Sequence, residues 1–290
     1  MDLTALSGAA AIALAATIIF LLVIKSWAVF VKSTASTPFP ESIMLEPAQR
    51  IRDKIDRYGQ EQSVYLVSAL VFSVVFCIVY LFPPERLFDN VPIWQLYVVL
   101  ALLGIAAASL IYKIAQIAIT RRKLLFSRDA SMATGHALQK ITGNQNRVFH
   151  DVPSAAGTID NVVVGLHGIY TVSVIARRPG KDEYAALKGD RLSFGEKQVV
   201  SVKRSAAKSG QLAKEIRKVT GHDIRVRSVI AIPGWDIESQ QSSDFLVVNE
   251  RNIAMLTGWK DQKDYLMNED VEAVQKLLTQ RCTRFSKNKS

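Results

Sequence analysis

The chain has 290 residues, of which 49% are hydrophobic, and its mean hydropathy is +0.15. A positive mean hydropathy is typical of a chain with a membrane portion, and this length leaves room for one or two domains. Two cysteines exclude a disulfide framework, and the four histidines lack the Cys or acidic neighbours at ligand spacing that a zinc site needs.

The formal net charge of +10 is unevenly distributed along the chain. Residues 1–120 contain 8 Lys or Arg and 8 Asp or Glu, whereas residues 121–290 contain 28 and 18. The net charge therefore belongs to the C-terminal part, and the N-terminal part is apolar and electrically balanced.

Residues 1–128 are predicted to be a membrane region with three spanning helices, at about residues 8–31, 63–82 and 94–119. Each apolar run is long enough to cross a hydrocarbon core of about 30 Å at about 1.5 Å per residue. Lys25 lies near the end of the first apolar run and Lys32 follows the run, whereas no basic region precedes it. This order of charges argues against a cleaved signal peptide. No Asp, Glu or His lies deep in any predicted span, so nothing favours a transporter or a proton relay.

Basic residues indicate the orientation of the spans. The connection at residues 33–62 carries Arg50, Arg52, Lys54 and Arg57, whereas the second connection carries only Arg86. Since Lys and Arg favour the cytoplasmic side, we expect a multi-pass protein of the cell inner membrane with its N-terminus outside and its C-terminal domain in the cytoplasm. Small residues four apart, such as Gly104 and Ala108, permit either self-association or packing among the three helices.

The connection at residues 33–62 includes a predicted helix at residues 45–62. An apolar line through Ile51, Ile55 and Tyr58 suits either the membrane surface or the face of a soluble domain, and the sequence leaves both open.

Residues 129–290 are predicted to form a mixed α/β domain. A first helix at 129–141, with Asp129 or Ser131 as cap, leads into three short strands that read as an antiparallel meander. The expected elements in chain order are strands 147–152, 158–166 and 168–176, a hairpin at 183–188 and 191–194, a helix at 198–219, strands 224–232 and 244–248, and a helix at 269–285 capped by Asn268.

The stretch RVFHDVPSAAGTIDNVVVGLHGIYTVSVIARRPG, residues 147–180, resembles the core of the nuclease-related domain, NERD, a branch of the restriction-endonuclease-like fold. In that family an Ile-Asp-His strand precedes a Gly-aromatic turn and a second strand that ends in Glu-x-Lys. The resemblance covers roughly residues 129–290 and implies that Asp160 occupies the position of the family Asp.

The other family positions depart from the pattern. Ser173 and Ile175 replace the Glu and the Lys, Asn161 replaces the His, His136 follows Gly135 where a Glu is usual, and Ser205 replaces a Gln. Phosphodiester cleavage by a bound cation needs carboxylate ligands and a lysine that acts on the attacking water. One Asp does not hold Mg²⁺ tightly, so no metal or cofactor is expected unless relocated acids such as Asp151 or Glu183 complete the site.

The predicted helix at 198–219 has one strongly basic face. At about 100° per residue, its cations fall within an arc of about 180°. These residues, hereafter the basic face, are Lys203, Arg204, Lys208, Lys214, Arg217 and Lys218. Clustered cations suit nucleic-acid phosphates or anionic lipid headgroups, and a solvated helix face remains the alternative.

Three functions are therefore compatible with the sequence. The first is a membrane-anchored, catalytically inactive nuclease-related module that holds nucleic acid, lipid or a protein partner. The second is an active, membrane-tethered nuclease that uses Asp160 and Mg²⁺. The third is a structural subunit of a membrane complex.

Overall fold

The computed structural model describes residues 3–34, 43–81, 93–142, 146–178, 184–195, 198–242, 244–259 and 265–284. It divides into two compact units, of which the first comprises residues 1–38 and 54–123 and the second comprises residues 39–53 and 124–290. The second unit is thus built from two separate pieces of the chain.

Three long helices, α1 (Leu3–Thr34), α2 (Gln49–Leu81) and α3 (Ile93–Gln139), contain the three segments that were predicted to span a membrane. Each contains an 18-residue window of high mean hydropathy, 2.3 in α1 and 1.8 in both α2 and α3. All three helices are long and apolar enough to cross a membrane, and their number equals that of the predicted spans; residue 82, at the end of the second predicted span, lies outside the described residues.

The predicted cap at Asp129 or Ser131 is wrong, because α3 runs without a break from the third span into the second unit. Asp129 pairs instead with its neighbour Arg128 at 2.8 Å, and Ser131 is buried inside the helix. No proline interrupts residues 93–139, so nothing in the sequence forces a new helix to begin there.

The second unit contains the strands and three further helices. Its strands are β1 (Ile43–Met44), β2 (Arg147–Val152), β3 (Ile159–Gly165), β4 (Gly168–Val174), β5 (Tyr184–Lys188), β6 (Arg191–Phe194), β7 (Gln198–Ser201), β8 (Val226–Ala231), β9 (Asp236–Gln241), β10 (Phe245–Val248) and β11 (Thr283–Arg284). Its helices are α4 (Lys203–Thr220), α5 (Met255–Gly258) and α6 (Asn268–Cys282).

A mixed five-stranded sheet with the order β10-β8-β4-β3-β2 forms the centre of this unit. β2, β3 and β4 are antiparallel, as predicted, whereas β8 and β10 run parallel to β4. A second sheet has the order β7-β6-β5-β9, and β1 pairs with β11 in a two-stranded ribbon. The mixed sheet with helices confirms the predicted α/β class.

Side chains of the five-stranded sheet alternate between two cores. On one face, Phe149 and Val162 pack with Leu212 of α4 and Leu278 of α6. On the other face, Val163 and Val172 pack with Leu138 of α3 and with Leu256. A third cluster joins the second sheet to Ile230 and Trp235. The central sheet therefore lies between helices on both faces.

Two sequence predictions need correction in the last third of the chain. Residues 198–201 form strand β7 and not the start of a helix, because they pair with β6 and complete the second sheet. Asn268 is the first residue of α6 and not its cap, since Met267 occupies that position without a side-chain cap hydrogen bond. Strand β9 was not predicted, because its sequence, DIESQQ, is polar and largely exposed.

Candidate functional site

Asp160 lies on the middle strand of the meander, one residue after the start of β3. Its Oδ2 accepts a hydrogen bond of 2.8 Å from the backbone N–H of Val174. The pairing of Asn161 with Val172, extended by one residue, places Ser173 opposite Asp160 on β4. Burial raises the pKa of the Asp160 carboxyl, against the opposing effects of the Val174 N–H and of the Lys208 ammonium.

A second carboxylate, that of Asp151, lies on β2 opposite Asp160. The pairs His150 with Asn161 and Val152 with Ile159 flank this position in the register. Asp151 has a φ of 50°, in the left-handed region of the backbone that residues other than glycine rarely adopt. Its Oδ2 accepts a hydrogen bond of 2.9 Å from the backbone N–H of Arg50. Burial raises the pKa of Asp151, although the hydrogen bond from the Arg50 N–H and the positive charge of Arg50 both lower it.

Two cations lie within electrostatic reach of Asp160. Lys208 and Arg50 both lower its pKa, whereas Asp151 raises it, because charges close to a buried carboxyl act strongly in a low dielectric. The structure therefore brings together two acids, one lysine and one arginine. Asp151 thus lies close to Asp160, whereas Glu183, the other acid considered for this site, lies outside the described residues.

The positions of the family Glu and Lys offer nothing to a metal ion. Ser173 is buried and pairs with Ile230, and Ile175 packs against the third core cluster. Across the residues that the structure describes, no group of three or more His, Cys, Asp and Glu could hold a metal ion. Mg²⁺ is usually held by one or two carboxylates together with waters and substrate phosphates, so Asp151 and Asp160 are the residues here that could hold it.

Asn161, at the position of the family His, pairs with a histidine on the neighbouring strand. His150 Nδ1 lies 2.7 Å from Asn161 Oδ1, and both side chains are buried. Burial lowers the pKa of His150, so the ring is neutral and donates from Nδ1 to the amide oxygen. This pair satisfies two buried polar groups.

The remaining two departures from the family pattern are structural. Gly135 lies under Pro47, and a Cβ at this position would come within 2.7 Å of the proline Cβ. His136 is exposed, and Ser205 is buried in the first turn of α4. None of these residues makes a hydrogen bond with Asp160 in the described part of the chain.

The basic face is only partly neutralised. Lys203 pairs with Asp190 at 3.2 Å, Arg217 pairs with Asp223 at 3.1 Å, and Lys208 is the cation nearest the core. Arg204, Lys214 and Lys218 are exposed and have no hydrogen bond or ion pair with another described side chain.

Glu215, the only acidic residue of α4, does not offset the basic face. Its side chain is 13% exposed and pairs with Arg281 of α6. Ser154 Oγ and the Ala155 N–H also donate to it, at 3.1 and 3.3 Å. Burial alone would raise the pKa of Glu215, but these hydrogen bonds, led by that from Arg281, leave the pKa below its usual value. The fully exposed charged residues of α4 are therefore all cationic.

The docking of residues 43–53 on the second unit was not predicted. Met44 and Leu45 pack against the first core cluster, and the Leu45 N–H donates to the carbonyl of Cys282 at 2.9 Å. The sequence left open whether this region lies on the membrane or docks, and residues 43–53 dock within the second unit. The sequence contains no local pattern that indicates this docking; Pro47 indicates only that a helix begins nearby.

Comparisons of the chain with protein-family models, with curated proteins and with solved structures give no match.

Proposed function

We propose that the protein is a membrane-anchored, nuclease-related module that lacks catalytic activity and holds a polyanion, foremost nucleic acid, at the cytoplasmic face of a cell inner membrane. The observation that carries this proposal is the exposed cationic side of α4. Arg204, Lys214 and Lys218 are without ion-pair partners in the described part of the chain, and the one acid of the helix faces Arg281. Clustered cations bind phosphates through counterion release.

The nuclease-related assignment draws support from the meander. The residues that resemble the family core form β2, β3 and β4, with Asp160 on the middle strand and Ser173 opposite it. The absence of catalysis draws support from Ile175, which is packed in the core where the family has a lysine.

The orientation draws support from the two-piece construction of the second unit. Residues 43–53 precede the second predicted span at 63–82, and residues 124–290 follow the third predicted span at 94–119. Two segments that pack in one unit lie on one side of a bilayer. The first connection and the C-terminal domain therefore share a side, and the Lys and Arg distribution makes that side the cytoplasm.

The binding proposal is tested with the purified full chain in detergent micelles. Labelled duplex DNA, RNA and vesicles of anionic lipid are titrated at several salt concentrations. Each phosphate contact contributes a slope of about −0.9 to the logarithm of affinity against that of salt, so the variant Lys214→Glu/Lys218→Glu should bind nucleic acid more weakly, with a slope flatter by about 2.

The matched control is Lys140→Glu/Lys276→Glu, which makes the same charge change at exposed positions outside α4. It should leave most of the affinity and slope intact. Equal losses in both double variants would show that only net charge matters, and no binding of DNA, RNA or vesicles at low salt would refute the proposal.

A second candidate function is an active nuclease, which the apposition of Asp151, Asp160 and Lys208 favours. On the leading proposal, plasmid DNA incubated with the full chain and Mg²⁺ or Mn²⁺ stays intact. Cleavage that disappears in Asp160→Asn and persists in the control Asp190→Asn would establish the nuclease instead.

A further inference from the structure

Two residues with unusual backbone conformations meet at one contact in the second unit. Among the described residues, Ala48 and Asp151 are the two non-glycine residues with a left-handed φ, at 59° and 50°. Ala48 immediately precedes α2, and Asp151 accepts the N–H of Arg50 in the first turn of α2. Such conformations persist only where the surroundings enforce them, and they concentrate at switch regions.

Asp151 acts as the N-cap of α2, although it lies 101 residues away from Arg50. The N–H of Arg50 donates to its carboxylate at 2.9 Å, whereas the N–H of Gln49 donates to the carbonyl of Glu46 at 3.2 Å. The first N–H groups of a helix have no partner inside the helix, and the helix dipole favours a negative charge beside them. The cap is supplied by a strand of the sheet, so it ties the start of α2 to β2.

Further contacts hold residues 43–53 against the rest of the second unit. Arg147, at the start of β2, contacts Met44 Sδ at 3.5 Å. Pro47 lies against Gly135 of α3. The guanidinium of Arg50 donates to Thr158 Oγ1, next to the start of β3.

We propose that residues 43–53 are a releasable latch, in which the start of the membrane-spanning helix α2 docks on Asp151 and holds both Ala48 and Asp151 in strained conformations. Release relaxes both residues, frees the Asp151 carboxylate and removes Arg50 from the neighbourhood of Asp160. Because α2 continues without a break to Leu81, the latch links the state of this helix to the acidic pair. The latch is independent of whether the pair binds a metal or the basic face binds nucleic acid.

Hydrogen exchange of the purified full chain in detergent micelles tests the latch. Loss of a helix cap at Asp151→Ala should speed exchange of the amides at 49–52 by roughly fivefold, while the amides of β8 keep their wild-type rates. Asp151→Asn retains an acceptor oxygen and tolerates the left-handed region, so it should restore most of the protection. Arg50→Ala removes the hydrogen bond to Thr158 but keeps the backbone donor to Asp151, so it should speed exchange less than Asp151→Ala does.

A variant on the other side of the contact gives an independent test. Ala48→Val places a β-branched side chain at a φ of 59°, which should open the same amides and leave β8 protected. Unchanged exchange at 49–52 in both Asp151→Ala and Ala48→Val would overturn the latch. Exchange that rises equally in β8 would also overturn it, because the segment would then unfold only with the whole unit.

Discussion

Substitution of Gly135 by alanine should destabilise the second unit, although alanine is the better helix former. A Cβ at Gly135 would lie 2.7 Å from Pro47 Cβ and 2.8 Å from Pro47 Cγ. Both distances are below any normal carbon contact, and the proline ring cannot rotate away as a flexible side chain would. Either α3 or residues 43–53 must therefore move.

The magnitude follows from two opposing terms. Overpacking of a tight contact costs about 1–3 kcal/mol. The change from glycine to alanine inside a helix returns about 1 kcal/mol. The expected net loss in the free energy of unfolding is about 0–2 kcal/mol.

Gly210 supplies the matched control within the same unit. It lies in α4, and a Cβ there would meet nothing within 4 Å. Gly210→Ala should therefore stabilise by about 1 kcal/mol. Urea unfolding of the full chain in detergent, followed by tryptophan fluorescence, measures both variants. If Gly135→Ala is as stable as Gly210→Ala, the close approach of Pro47 is not a constraint and the argument fails.

Two other predictions concern buried carboxylates of the same unit. Glu215→Ala leaves Arg281 without its partner and should lower the free energy of unfolding by about 2–3 kcal/mol. The control Glu272→Ala removes an exposed glutamate of α6 and should change this free energy little. Equal effects of the two variants in urea unfolding would contradict the role of Glu215. Asp160→Asn keeps an acceptor for Val174 and should stabilise the unit relative to wild type at pH 8, because the raised pKa makes the ionised wild-type carboxyl unfavourable in the fold. This advantage should shrink as the pH falls through the raised pKa of Asp160 towards 3.8, and an advantage that does not depend on pH would contradict burial as its cause.

Much of the fold could be predicted because burial imposes local periodicities on the sequence. The strands at Arg147–Val152 and Gly168–Val174 follow β-branched and aromatic runs bounded by Gly and Pro, and the amphipathic pattern of α4 has its apolar side at Leu212 and Ile216. β9 has no such pattern, because the polar side chains of DIESQQ are mostly exposed and pairing with β5 stabilises the strand.

The surroundings of Asp160 could be predicted only in part. The register of β3 and β4 follows from the tight turn between Gly165 and Gly168, so the apposition of Asp160 and Ser173 was within reach. The contact between Arg50 and Asp151 could not be predicted, because no local sequence pattern indicates a contact between residues 101 positions apart. Lys208 was counted among the cations of the basic face, yet it is half-buried and its charge lowers the pKa of Asp160.

The two acids have structural explanations that need no metal ion. Ionised carboxylates on adjacent strands repel each other in a low dielectric, so an uncompensated pair would destabilise the sheet. Asp160 satisfies the N–H of Val174, and Asp151 satisfies the N–H of Arg50 at the start of α2. Arg50 and Lys208 offset the repulsion. One oxygen of each carboxylate therefore accepts a hydrogen bond that the fold itself needs, so both acids have a structural role that does not require cleavage at Asp160.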